Sequence, residues 1–277
     1  MAERSLQEDR AKITSKLDVP GMDTDRWWLL VFGVIGLVVF MVFLWPDPDT
    51  RDIFRRGITF MLAGLWVTIW VTIVSFLLVT VLGLFGGLGR LSKNPVINGL
   101  STLYVEVIRG IPLMVQILFW YFAFPAVIRS LGANWNIPSF QNYQANPYVM
   151  AVLGLTVCYA AYMSEIYRAG IQSIGKGQME AARSLGMSSV QALRYVVLPQ
   201  AVRVIMPPMG NEFISLIKDS SLISVVAVAD LTRLGREFSS ISFSPIETWS
   251  LVALLYLVLT TVSARIVAFI ERKTKLA

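Results

Sequence analysis

The chain alternates long apolar runs with short polar breaks. A helix rises 1.5 Å per residue, so crossing a bilayer takes about 20 apolar residues. Six stretches have that character: residues 27–45, about 59–88, 100–128, 147–171, 204–228 and 248–270. In lipid, only a helix satisfies the backbone hydrogen bonds of a single segment internally, and runs this long exclude barrel strands. The pattern therefore predicts an all-α integral membrane protein of six spans. Trp27 and Trp45 bracket the first run, as interface-seeking rings do. The second run has room for an amphipathic lead-in at 60–70 before its span. Residues 1–26 are polar and dense in both charges, without the apolar core or small-residue cleavage site of a signal peptide. They read as a cytoplasmic tail with a short helix at 6–17. The loop at 129–146 is polar with Gly and Pro, and 229–247 suits a short surface helix around 230–239.

Composition agrees with a lipid-facing surface. Of 277 residues, 55% are hydrophobic and 15% charged, against about 25% charged in soluble domains. The chain has no His and one Cys, Cys158. A disulfide within the chain, a His general base and a His/Cys metal site are thereby excluded, whereas carboxylate chemistry is not. The net charge of +6 fits cytoplasmic loops rather than nucleic acid. With the N-terminus inside, the inner loops hold 17 Lys and Arg, the outer loops 6, and Lys218 lies within a span. That excess orients the bundle with both termini cytoplasmic.

One inner loop is too polar to span and too patterned to be a linker. It is residues 174–199, IGKGQMEAARSLGMSSVQALRYVVLP. Residues 178–185 favour helix, and Gly186 stands where a helix end needs a left-handed residue. Ser188 with Gln191 three residues on has the form of a capping box. Val190, Leu193 and Val197 then share a face, and Pro199 ends or kinks the second helix. On these grounds alone the element is an amphipathic interfacial hairpin or a docking element. Glu180 has Arg183 at i+3, so an ion pair on its own helix competes with a partner contact. Just upstream, GIQSIGKG at 170–177 nearly matches a phosphate-binding loop. Gly177 replaces the magnesium-holding hydroxyl and no strand precedes it, so it is not read as a nucleotide site.

The spacing Glu180-Ala181-Ala182, Gly186, then Val196 and Leu198-Pro199 resembles the EAA loop of bacterial ABC importer permeases, with Val196 where Ile is usual. YVEVIRGIPLMVQ at 104–116, AAYMSEIYRAGIQSIGKGQ at 160–178, PPMGNEFISLIKDSSL at 207–222 and VADLTRLGREF at 228–238 extend the likeness over most of residues 57–277. Together they look like the polar amino-acid permeases of the histidine/glutamine/arginine group, with Ile111 where Thr is frequent. The resemblance implies a type I importer fold, with a five-helix core at 57–277 and an additional N-terminal transmembrane helix at 27–45. It implies a coupling helix in which Glu180, Ala181, Ala182, Gly186, Leu198 and Pro199 meet an ATPase. It further implies a second permease chain, identical or related, two ATP-binding subunits, an extracytoplasmic binding protein, and a place in the bacterial inner membrane. ATP and magnesium then belong to the partner ATPase, and this chain carries no cofactor of its own.

Charges within a span cost about 2.5–3.5 kcal/mol each on insertion scales, and the fifth run carries Glu212, Lys218 and Asp219. Glu212 and Asp219 are seven apart and share a helical face. With Asn211, Ser220 and Ser221 they form a candidate substrate path, in which Glu212 meets an ammonium or a cationic side chain. Pro207, Pro208 and Gly210 would loosen the helix ahead of it. The alternative is that these charges pair with neighbours to hold the bundle, with Arg109 and Glu165 as partners; Lys218 and Asp219 lean that way. Glu106 and Arg109, an i, i+3 pair, read as a buried ion pair or a gate contact between permeases. An intramembrane enzyme would need a catalytic motif, and none is visible. A channel would not need the hairpin at 174–199.

Overall fold

The computed structural model describes residues 26–276, so the tail and its expected helix at 6–17 lie outside the described residues. Among the described residues every regular element is helical. Helix α1 is Arg26–Val39 and runs into a π-helical turn, Phe40–Leu44. Helix α2 is Pro48–Arg90. Asp47 caps it by accepting from the Thr50 amide at 2.8 Å, and Pro48 fits the first turn, where its missing N–H costs nothing. Its 43 residues reach about 65 Å, enough for the expected lead-in and a span.

The third apolar run is not one helix. Helix α3, Pro95–Gly110, is capped by Asn94 and stops before Pro112. Helix α4, Leu113–Leu118, a π turn at Phe119–Ala123 and α5, Phe124–Asn134, then follow. Pro112 has no N–H to donate, so carbonyls near the break lose helical partners. The Gln116 side chain replaces them, donating to the carbonyls of Ile108 at 2.8 Å and Ile111 at 2.9 Å. A short α6, Pro138–Gln141, lies in the polar loop.

Helix α7, Pro147–Gln172, is the buried centre. Its most extensive interface is with α2, and small residues make it close. A Cβ at Gly83 would stand 2.6 Å from the Met163 Cβ, and one at Gly87 2.8 Å from the Ser164 carbonyl oxygen. In lipid, where no water is expelled, such close approach is what binds helices.

Helix α8, Lys176–Ser184, and α9, Ser189–Ala192, form the patterned loop. A π turn, Leu193–Val197, joins α9 to α10, Leu198–Asp219. Pro199, expected to end or kink the second helix, does not end it. It lies in the first turn of α10, where the lost hydrogen bond falls in the widened π turn. Pro207 and Pro208 also lie inside a continuous α10 and do not interrupt it. After a 3-10 turn, Ser220–Val225, come α11, Leu231–Ser242, and α12, Pro245–Leu276. Helix α11 is the expected surface helix, capped by Asp230 through the amides of Thr232 and Arg233.

Among the described residues, four helical stretches are long and apolar enough to cross a membrane: Pro48–Arg90, Leu113–Asn134, Pro147–Gln172 and Pro245–Thr274. The other two expected spans are helical but differ in kind. Helix α1 has 14 residues before its π turn, and α10 carries Arg203, Glu212, Lys218 and Asp219. Helix α1 is peripheral. Val38, Met41 and Trp45 pack against the cluster of Phe54, Met61, Leu231, Phe238 and Leu251, while Leu29, Phe32 and Leu44 are exposed.

Candidate substrate cleft and coupling hairpin

A cleft of about 280 Å³ opens between α4, α7 and α10, lined by Leu113, Cys158, Tyr159, Tyr162, Glu212, Ser215 and Asp219. Helical periodicity puts Glu212, Ser215 and Asp219 on one face of α10, as the seven-residue spacing of the two acids requires. Asp219 accepts a hydrogen bond from the Tyr159 hydroxyl at 2.6 Å. Glu212 is half-buried. The cleft thus presents two carboxylates, two phenols and a serine hydroxyl, a surface suited to a polar, ammonium-bearing solute.

The structure separates the other residues expected beside Glu212. Asn211 is exposed and off the cleft lining. Ser220 is buried and donates to the Ile217 carbonyl at 2.7 Å, so it serves the helix end. Ser221, in the 3-10 turn, is half-buried and outside the lining. Lys218 is exposed on another face. The α7 contribution was not anticipated. Tyr159 and Tyr162, three apart in the largely apolar first two-thirds of α7, are the signal that marks it, because both phenols fall on one face.

Glu106 and Arg109 do not pair. Glu106 bonds Arg90 at 3.2 Å, and the Arg109 guanidinium lies 5.2 Å from the centroid of the Tyr162 ring. Although Glu106 and Arg109 are one turn apart, the neighbouring helices offer each a better partner. Glu165 receives Arg90 from α2 at 2.8 Å and Arg168 from its own helix at 2.9 Å. Arg90, with 14% of its side chain exposed, therefore ties α2 to both α3 and α7.

The patterned loop folds largely as its residues dictate. Gly186 has φ +85°, a conformation that glycine adopts at little cost. Ser188 and Gln191 bond reciprocally, the Ser188 amide donating to Gln191 Oε1 at 2.9 Å and the Gln191 amide to Ser188 Oγ at 3.3 Å. Ala182 and Ala192 are buried where the two helices meet. The expected common face of Val190, Leu193 and Val197 is divided. Val197 is buried, whereas Val190 is 73% and Leu193 49% exposed, and Leu185 on the first helix is exposed as well. The π turn shifts the register between them and points the first part outward. Glu180 and Ala181 are exposed, Leu198 is exposed beside them, and Glu180 makes no ion pair with Arg183 or any other described residue. The glycine-rich stretch at 170–177 joins α7 to α8, helix to helix. Gly170 itself is a packing residue, since a Cβ there would lie 2.3 Å from the Ile205 side chain.

The hairpin also has a mechanical position. It leaves the end of α7 and runs without a break into α10, the two helices that supply most of the cleft.

Comparison with known proteins gives a consistent result. Residues 79–276 match the family described as binding-protein-dependent transport system inner membrane component. The chain is 36% identical over 220 residues to the glutamine transport system permease protein of Escherichia coli strain K12, covering 79% of this chain and 95% of that one. It is 37% identical over 196 residues to the arginine transport system permease protein of Corynebacterium glutamicum, covering 70% of this chain and 62% of that one. Among solved structures, an amino acid ABC transporter crystallised with histidines superposes with a TM-score of 0.69 at 34% identity, covering 79% of this chain and 96% of that one.

Proposed function

This chain belongs to the family of binding-protein-dependent transport system inner membrane components, and from that premise we propose how it imports amino acids. It is the transmembrane subunit of an ATP-driven amino-acid importer and not itself an enzyme, because ATP hydrolysis belongs to separate ATPase subunits of such systems. An extracytoplasmic binding protein delivers the solute. A second permease chain completes the path, and two ATPase subunits dock from the cytoplasm. Both termini face the cytoplasm, in keeping with the excess of Lys and Arg in the loops on that side.

One observation carries the mechanism. The hairpin of α8 and α9 presents exposed Glu180, Leu185 and Val190 and is continuous with the helices that wall the cleft. Exposed apolar side chains at a polar surface mark a contact site for another protein. An ATPase that closes on ATP pulls the hairpin, and the pull reaches the cleft along α7 and α10 as rigid elements. Alternating access then follows as a shift between two packings of those walls. In the cleft, Glu212 and Asp219 take the ammonium of the amino acid. The additional helix α1, outside residues 57–277, takes no part in this path.

Reconstitution tests the proposal. The chain, in liposomes with its ATPase, partner permease and binding protein, is assayed for ATP-dependent uptake of labelled amino acids. Uptake that requires ATP is expected, together with its loss in Glu180→Lys, which reverses a charge at the docking surface. Equal uptake by the variant overturns the coupling role of the hairpin. ATP hydrolysis without uptake of any amino acid overturns the substrate.

A further inference from the structure

A second cavity of about 280 Å³ lies between α2, α10 and α12 and shares no lining residue with the cleft. Phe76 and Phe213 form one wall, their ring centroids 4.9 Å apart. Met206 and Met209 of α10 line it further, and their unbranched side chains adapt to what fills the space. Leu77, Ile266 and Ile270, all exposed, open it to the outside of the bundle. An ordinary lipid-facing surface is apolar throughout, and this one is not. Glu271, half-buried, is the one ionisable residue of the lining. Helices α10 and α12 approach closely beside it. A Cβ at Gly210 would lie 2.2 Å from a Val267 methyl and 3.4 Å from Glu271 Oε1. The carboxylate thus rests against the α10 backbone, without a hydrogen-bond or ion-pair partner among the described residues. Arg203 precedes Met206 by three residues on α10, is exposed, and is likewise unpaired among the described residues. A carboxylate in apolar surroundings is costly until a cation joins it.

We propose that this cavity binds a phospholipid whose headgroup ends in a primary ammonium, as ethanolamine does. An acyl chain fills the apolar part, the ammonium donates to Glu271, and the phosphate meets Arg203. The α10 wall from Met206 to Phe213 runs about 10 Å along the helix, enough to hold a stretch of hydrocarbon chain. Arg203 and Glu271 lie toward the start of α10 and the end of α12. The orientation proposed above puts that end at the cytoplasmic side, and the site rests on that reading for its leaflet alone. The two charges discriminate among lipid classes. An anionic headgroup satisfies Arg203 but opposes Glu271. A choline headgroup is positive but has no N–H, so it cannot donate the charge-assisted hydrogen bond that a carboxylate accepts. An ammonium-bearing headgroup meets both groups. Arg272 and Lys273 are exposed at the same end, with the Lys273 ammonium 4.8 Å from the centroid of the Phe269 ring. They attract phosphates in general and add no preference for an ammonium.

Lipid retention by the purified transporter complex tests the site. The delipidated complex in detergent is titrated with dioleoyl phosphatidylethanolamine, phosphatidylcholine or phosphatidylglycerol, and bound lipid is counted by native mass spectrometry. The tightest lipid is expected to be the ethanolamine form, held about 10-fold more strongly than the choline form, the worth of one hydrogen bond to a charged group. Glu271→Gln keeps the shape and is expected to bring the two within about twofold. Arg203→Gln is expected to weaken both alike, since both carry the phosphate, and to leave the preference in place. A hydrophobic carbodiimide, which joins a carboxylate to a neighbouring primary amine, gives a readout on the unaltered chain. A phosphatidylethanolamine adduct is expected on Glu271, and none from phosphatidylcholine. Equal retention of the ethanolamine and choline lipids, tighter retention of phosphatidylglycerol, or an unchanged preference in Glu271→Gln overturns the inference. So does cross-linking of Glu271 to a permease chain instead of a lipid. ATP-driven uptake in the same lipids keeps the two readings apart. Uptake that persists when the lipid preference is absent leaves the importer standing, and absence of uptake in every lipid overturns the importer reading itself.

Discussion

Individual residues in this chain are placed by what their neighbours leave unsatisfied. Glu212 was legible from the sequence because a charge within a span demands a reason, and the structure gives it an open cleft. Substituting Glu212→Gln keeps the shape and removes the charge. Uptake of cationic amino acids is expected to fall about 10-fold and that of neutral ones less, measured side by side in the same liposomes; equal losses would deny Glu212 a substrate contact. Asp230 carries a different prediction. It lies in the connection before α11, fully buried, with its carboxylate capping that helix. Its backbone packs so closely on α2 that a Cβ at Gly64 would lie 2.7 Å from its carbonyl oxygen. Burial is the main cause that raises its pKa from the ordinary 3.8 to about 6, against the amide hydrogen bonds that lower it. A raised acid contributes stability in its protonated form. That contribution is present below pH 3.8 and is lost as pH rises through about 6. Thermal melts of the detergent-solubilised complex should therefore show stability falling across that window. Asp230→Asn, which still caps, should flatten the slope, and an unchanged slope would assign it to other groups. None of this was readable from the sequence, which marks Asp230 only as the start of a surface helix.

At the scale of elements, periodicity found the helices but not their joints. The third apolar run was read as one helix because its hydropathy is continuous, yet Pro112 divides it and Gln116 repairs the break. The second helix of the hairpin was expected to end or kink at Pro199, and a π turn just before the proline carries the helix on into α10. Proline's effect depends on whether the chain can shift its hydrogen-bond register nearby, which a local reading does not reveal. The same blindness explains Glu106, paired by sequence distance with Arg109 when its partner is Arg90 from another helix. The resulting joint of Arg90, Glu106, Glu165 and Arg168 can be ranked by exposure. Glu106 has 64% of its side chain exposed, and exposed ion pairs contribute little, so Glu106→Gln should change stability by under about 0.5 kcal/mol. Arg90→Gln should cost about 1–2 kcal/mol. That is less than the roughly 3–5 of a fully buried broken pair, because Glu165 keeps Arg168 and some solvent. The double variant Arg90→Gln with Glu165→Gln should cost less than the sum of the two singles. Chemical or thermal unfolding of the four proteins measures this, and strict additivity would mean that Arg90 and Glu165 do not stabilise one another.

For the whole molecule, the question is what α1 adds, since the glutamine permease and the solved amino acid transporter each match 79% of this chain. The sequence set residues 27–45 apart because the resemblance began near residue 57, and the structure supplies the packing. Val38, Met41 and Trp45 lie against the cluster around Phe54 and Phe238, with the Trp45 and Phe54 rings edge-on at 5.7 Å. That contact belongs to a cluster separate from the α7 cluster of Leu155, Tyr159 and Met163, and α1 contributes no residue to the cleft lining. Between helices in lipid the gain is dispersion rather than expulsion of water, so buried Val31 and three partly buried side chains hold α1 only modestly. Trp45 with Phe54 adds about 0.5–1.5 kcal/mol. A chain beginning at Asp47 keeps the cap of α2 and every residue of the cleft and hairpin. It should insert, assemble with its ATPase and transport at a rate within about twofold of the full chain, with a melting temperature lower by about 2–4 °C for a domain this size. Pull-down of the ATPase together with uptake in liposomes decides the matter. Failure to assemble would make α1 a part of the core and move the domain boundary to the start of the first helix. Assembly with lost transport would instead give α1 a role in the motion of α12, against which it packs.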